Sequence, residues 1–190
     1  MQSTPQQQAV ARVYELMLDG DTETAASLAE EILADCGEEF SRCSGRQSAS
    51  AVVMAATAYG ETLIKTGRAR QAVATLVNAL ERTSACEPDN DEMMTGCITM
   101  WHAIELLLTQ ASPDSAVQRE AIETLASRLA TLLYVLYYKV GRANPDHAAL
   151  PDAYTTLRLL SNLVEIDRDA DNVPGLVAGI AKSAHRASLL

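Results

Sequence analysis

The chain has 190 residues, 48% of them apolar and 21% charged, with a net charge of −10. That balance describes a folded globular protein and excludes a disordered one, and the length suits one domain better than two independent cores. The negative field, 15 acids against 7 bases in residues 1–92 and 10 against 8 in residues 93–190, repels a phosphate backbone or an anionic bilayer, so neither nucleic acid nor membrane is an expected partner.

The N-terminal MQSTPQQQ has no basic start and no hydrophobic run, and no apolar stretch approaches a membrane span, so the expected location is cytoplasmic. The cysteines, Cys36, Cys43, Cys86 and Cys97, include no C-x-x-C pair, and reduced thiols are expected.

All six prolines, at 5, 88, 113, 145, 151 and 174, fall between or at the edges of segments with helical periodicity, which predicts an all-α fold of about eight helices. The first runs from about Gln6 to Leu18. Asp19-Gly20-Asp21 makes a turn, and Thr22 is the expected N-cap of a second helix that ends near Asp35. Cys36–Arg46, with Gly37, Gly45 and serines, reads as loop.

Over Val53–Pro88 the pattern is a helical hairpin. Met54, Ala58, Leu63 and Ile64 form the apolar stripe of one arm, Ala72, Leu76, Ala79 and Leu80 that of the other, and Gly67 stands at the turn. After an acidic break, Glu87–Asp91, a fifth helix carries Met94, Ile98, Trp101, Ile104 and Leu108 at helical spacing. The sixth, about Ser115 to Val140, ends in LATLLYVLYYKV, apolar nearly all round, which requires burial on several sides. Its Tyr134, Tyr137 and Tyr138 suit either the core or a protein contact surface, possible homodimer included. Pro151 opens a seventh helix with Tyr154, Leu157, Leu160 and Val164 as its buried stripe, and a last one is predicted over Gly175–Ser188. No segment reads as a strand.

The hairpin resembles a tetratricopeptide repeat, a two-helix unit of about 34 residues that buries itself against its neighbours. Gly60 stands at the close-approach position, Gly67 at the turn, and Ala72 and Ala79 at the small packing positions of the second helix. Ala56, where a large aromatic is usual, and the late Pro88 depart from the pattern. A weaker copy lies upstream, with Gly20 at the turn, Ala25 at the small position and Leu28, Ile32 and Leu33 as its stripe. The two turn glycines are 47 apart (67 − 20), and the expected linker Cys36–Gly45 accounts for the excess. The resemblance covers residues 1–88, and the expectation for 89–190 is a bundle-like half of the same domain.

What the resemblance implies is a groove lined by the first helix of each pair. It maps onto Gln7, Val10, Tyr14 and Met17 in one unit and Met54, Thr57, Glu61 and Lys65 in the other. Because Thr57 and Glu61 replace the basic and asparagine side chains with which some members grip a terminal carboxylate, such a clamp is disfavoured.

Little else points to chemistry. Asp167, Asp169 and Asp171 alternate like the start of a calcium loop, but Ala178 stands at its final ligand position and Pro174 distorts it. Cys36 and Arg42 have the spacing of a cysteine-phosphatase loop, yet Glu38 and Glu39 between them would repel the anion. His102, His147 and His185 have no ligand-spaced neighbours. No metal, cofactor or enzymatic activity is expected. The favoured function is an adaptor or secretion-type chaperone that binds a segment of another protein; the alternatives are a self-associating structural or regulatory protein and a small-molecule-sensing helical domain.

Overall fold

The computed structural model describes residues 4–43, 46–84, 90–110 and 116–165. Among them every regular element is α-helical: α1 (Pro5–Leu18), α2 (Thr22–Cys43), α3 (Arg46–Lys65), α4 (Ala69–Ser84), α5 (Asn90–Gln110), α6 (Ala116–Ala143) and α7 (Leu150–Glu165). The helix predicted over Gly175–Ser188 and the Asp167–Asp171 pattern lie outside the described residues.

Local chemistry sets the helix ends. The Thr4 hydroxyl accepts from the Gln7 N–H at 3.2 Å, the Gln7 side chain accepts from the Thr4 N–H at 3.0 Å, and Pro5 supplies a pre-set φ at the first position. At the other end Gly20 takes φ +84°, which lets the Asp21 N–H reach back to the Leu16 carbonyl. Gly67, at φ +77°, does the same after α3, with the Arg68 N–H on the Leu63 carbonyl at 2.7 Å. Both turns stand at the glycines expected to make them. The cap of α2 is displaced by one residue from expectation, because Asp21 rather than Thr22 accepts from the Thr24 N–H.

The expected loop at Cys36–Arg46 is corrected: α2 continues through Cys43. Ile32, Cys36 and Phe40 are buried and prolong the inward stripe at four-residue spacing, so ending the helix at Asp35 would strand Phe40. Gly37 is tolerated inside the helix because Arg82 of α4 lies across it. The guanidinium donates to the Gly37 carbonyl and to Ser41 Oγ and sits 5.8 Å from the Phe40 ring centroid. A Cβ at position 37 would come within 2.9 Å of Arg82 Nη1. The extra residues between Gly20 and Gly67 therefore lengthen helices, with 22 residues in α2 and 20 in α3.

The helices pack in two layers. α1, α3, α5 and α7 lie in one row, each against the next; α2 packs on α1 and α3, α4 on α3 and α6, and α6 on α5 and α7. α5–α7 thus repeat the neighbour relations of α1–α3. Ser50 Oγ donates to Glu92 Oε2 at 2.9 Å, and a Cβ at Gly96 would lie 3.2 Å from Val53 Cγ1, so α3 and α5 advance together in parallel. At the α3–α4 crossing a Cβ on Gly60 would sit 3.0 Å from Leu76 Cδ2. One contiguous buried cluster draws side chains from all seven helices.

α5 departs from its predicted stripe. Met93, Met94, Cys97, Met100, Ile104 and Leu107 are fully buried, while Leu108 is 40% exposed. α3, α6 and α7 all pack on α5, so its buried arc is wider than one stripe and rotated away from Leu108. No helix among the described residues is long and apolar enough to cross a membrane.

Candidate functional site

The row α1–α3–α5 brings together side chains that lie far apart in the chain. Tyr14 stands six residues before Gly20 (20 − 14) and Glu61 six before Gly67 (67 − 61), so the two occupy equivalent places on adjacent parallel helices. There the Tyr14 hydroxyl faces the Glu61 carboxylate. Glu61 is only 7% exposed, an unusual depth for an ionisable group. Lys65, one turn further along α3 and exposed, and His102 of α5 supply positive potential around it. His102 Nδ1 is in turn 3.2 Å from Glu105 Oε2.

Burial pushes the Glu61 carboxyl above its ordinary range, opposed by His102, Lys65 and the Tyr14 hydrogen bond. Burial, and then the neighbouring carboxylate, likewise raises the Tyr14 phenol. Neither shift makes a nucleophile, and Tyr14 keeps its proton. The arrangement holds a carboxylate at the edge of an apolar layer, suited to accept a hydrogen bond or a proton. Among the described residues no three His, Cys, Asp or Glu side chains come together as a metal site.

The other expected groove residues separate by burial. Val10 and Met54 are half-buried and Lys65 is exposed, so all three are reachable around Tyr14 and Glu61. Met17 and Thr57 are buried; the Thr57 hydroxyl donates within its own helix to the Val53 carbonyl at 2.8 Å. Gln7 is exposed, and its side chain serves the α1 cap. On α6, Tyr134 and Tyr137 are half-buried against the core, while Tyr138 is 58% exposed. These tyrosines stand apart from Tyr14 and Glu61, on an outward-facing helix that contacts α4, α5 and α7.

No family model, curated protein or solved structure matches this chain.

His102 is the member of the cluster that periodicity alone does not single out. The clue to it is Gly96, whose missing side chain lets α5 approach Val53 and sets the register that carries His102 to Glu61. The cysteine-phosphatase spacing has no functional geometry. Cys36 is buried inside a helix, and burial followed by Glu39 and Asp35 raises its thiol pKa. Burial alone pushes the Cys97 thiol up to about 12. His147 accepts from the Ala149 N–H at 3.2 Å and faces Asp91 Oδ2 at 3.6 Å, a role at the start of α7.

Proposed function

We propose that the chain is a non-enzymatic protein-binding module, an adaptor or secretion-type chaperone of the cytoplasm that holds a segment of another protein along α1 and α3. The observation that carries this reading is the meeting of Tyr14 and Glu61 at equivalent places in two stacked helical pairs, with Val10, Met54 and Lys65 reachable around them. Anchors repeated along a row of helices suit an elongated ligand, because each pair adds one contact per repeat. In this reading α1–α4 form two pairs of a short tetratricopeptide-like superhelix, closed by the bundle-like half that begins with α5.

The test is capture of partners from native extract, with identification of what co-purifies, by wild type and by Tyr14→Glu and Met54→Glu. A charge placed in the centre of such a contact is expected to weaken binding about thirtyfold. A defined partner retained at full affinity by both folded variants overturns the proposal.

A second reading, self-association, rests on α6, where Val135 is 43% and Tyr138 58% exposed one turn apart. A dimer by analytical ultracentrifugation that Tyr138→Glu converts to monomer supports it. A wild-type protein monomeric at its highest soluble concentration excludes it.

A further inference from the structure

The outward face of α6 is patterned along its length as well as around it. Glu120, Thr124, Thr131, Val135, Tyr138 and Arg142 follow one another at three- and four-residue steps, with Arg128 between the two threonines, and all are exposed. The first half of this stripe carries an acid and a small side chain, the second half the large apolar groups and a base. Glu120 and Arg142 each stand eleven residues from Thr131 (131 − 120 and 142 − 131), and Thr124 and Tyr138 each seven (131 − 124 and 138 − 131).

Glu120 and Arg142 form no ion pair among the described residues, whereas Arg128 is held by Glu81 of α4. Asp146 follows Arg142 in the turn after α6 but does not pair with it. The Thr124 and Thr131 hydroxyls donate within the helix, to the Glu120 carbonyl at 2.9 Å and the Ser127 carbonyl at 3.0 Å, so covering them leaves no donor unsatisfied. A parallel copy of α6 would set acid on acid, base on base and tyrosine on tyrosine. Turned end for end about Thr131, the stripe meets itself with opposite charge and opposite size at each level, the self-complementarity that a two-fold contact requires.

We propose that a second copy of this chain covers this face, with the two α6 helices antiparallel about a two-fold axis at Thr131. Glu120 of each copy meets Arg142 of the other, Tyr138 lies over Thr124, and Val135 lies over Ser127. This contact rests on the self-association reading above and adds direction and register to it. The net charge of −10 on each chain opposes a dimer, and salt screens that repulsion together with the two ion pairs, so charge reversal is a sharper probe than a salt series.

Sedimentation equilibrium of the full chain measures the dimer constant. Wild type is expected to dimerise, and Glu120→Lys and Arg142→Glu, which set like charges together at both ends, are each expected to weaken the dimer about tenfold. The two reversals change net charge in opposite senses, so a loss common to both is not an effect of overall charge. The chain carrying both restores opposite charges at both ends and should regain wild-type affinity. With a short bis-maleimide, Thr131→Cys is expected to join two copies above the wild-type background, while Thr124→Cys, whose two sites lie about 21 Å apart along the helices, is not.

A wild-type chain monomeric at its highest soluble concentration, or a dimer indifferent to Tyr138→Glu, overturns this contact together with the self-association reading. A dimer lost on Tyr138→Glu but indifferent to both charge reversals keeps that reading and overturns the antiparallel contact. Crosslinking through Thr124→Cys as readily as through Thr131→Cys does the same, and it decides the matter if a reversal variant is poorly folded.

Discussion

Leu76→Ala is expected to destabilise the protein by about 3–5 kcal/mol, seen as a lower denaturant midpoint at unchanged slope. Leu76 is fully buried, and its isobutyl group fills the space that Gly60 leaves open at the α3–α4 crossing. Gly60→Ala approaches the same contact from the other side. Its methyl would lie 3.0 Å from Leu76 Cδ2, so Leu76 must shift within a close-packed core. That overpacking costs about 1–3 kcal/mol, partly offset by about 1 kcal/mol of improved helix propensity. In the double variant the new methyl enters the space the isobutyl group vacates, and its loss of stability should fall short of the sum by about 1 kcal/mol. Strict additivity would show that the two residues do not pack on each other.

Tyr14→Phe is expected to cost about 1.5–3 kcal/mol at neutral pH, because it removes the donor to a buried carboxylate and leaves a similar shape behind. Glu61→Gln should act in the opposite direction. With its folded pKa raised, Glu61 contributes its full stability below about pH 4.5, where it is protonated in both states. As pH rises, the unfolded chain releases that proton first, and the contribution falls away through the folded pKa. Glutamine, neutral at every pH, escapes this loss. Thermal melts should therefore show Glu61→Gln close to wild type below pH 4.5 and progressively more stable than wild type above it. Tyr14→Phe should steepen the wild-type decline, since losing the hydrogen bond raises the Glu61 pKa further. A Glu61→Gln advantage independent of pH would refute the buried-carboxylate account.

The α1–α3 face is legible from the chain because its determinants are local. Glycines in the left-handed region must sit at Gly20 and Gly67 to turn the chain, and counting back six residues from each reaches Tyr14 and Glu61. The stripes of α3 and α4 and the small residue at Gly60 follow from the same periodicity. α2 was harder to read, because Gly37 and the serines around it carry loop chemistry. Burial of Cys36 and Phe40 keeps that stretch helical, and an arginine 45 residues further on covers Gly37 and bonds Ser41. Leu108 departs from the predicted stripe for a similar reason, since a helix with neighbours on three sides has no single apolar face. Met17 and Thr57 share the periodicity of the groove positions, but periodicity does not say how far the next helix covers a side chain.

By itself the sequence determined that the chain is helical, where α1 and α3 turn, and which residues of those helices share a face. Each of these is a matter of backbone freedom and spacing within a few turns of chain. Tertiary structure decided that α2 runs on to Cys43 and that Glu61 is buried beside Tyr14 and near His102. Those outcomes depend on how closely neighbouring helices approach, and the approach is set by Gly60 against Leu76, Gly96 against Val53 and Arg82 across Gly37. Gly60 and Leu76 are marked by their periodicity, but Gly96 and Arg82 have no such mark, and what they do exists only once the helices are side by side.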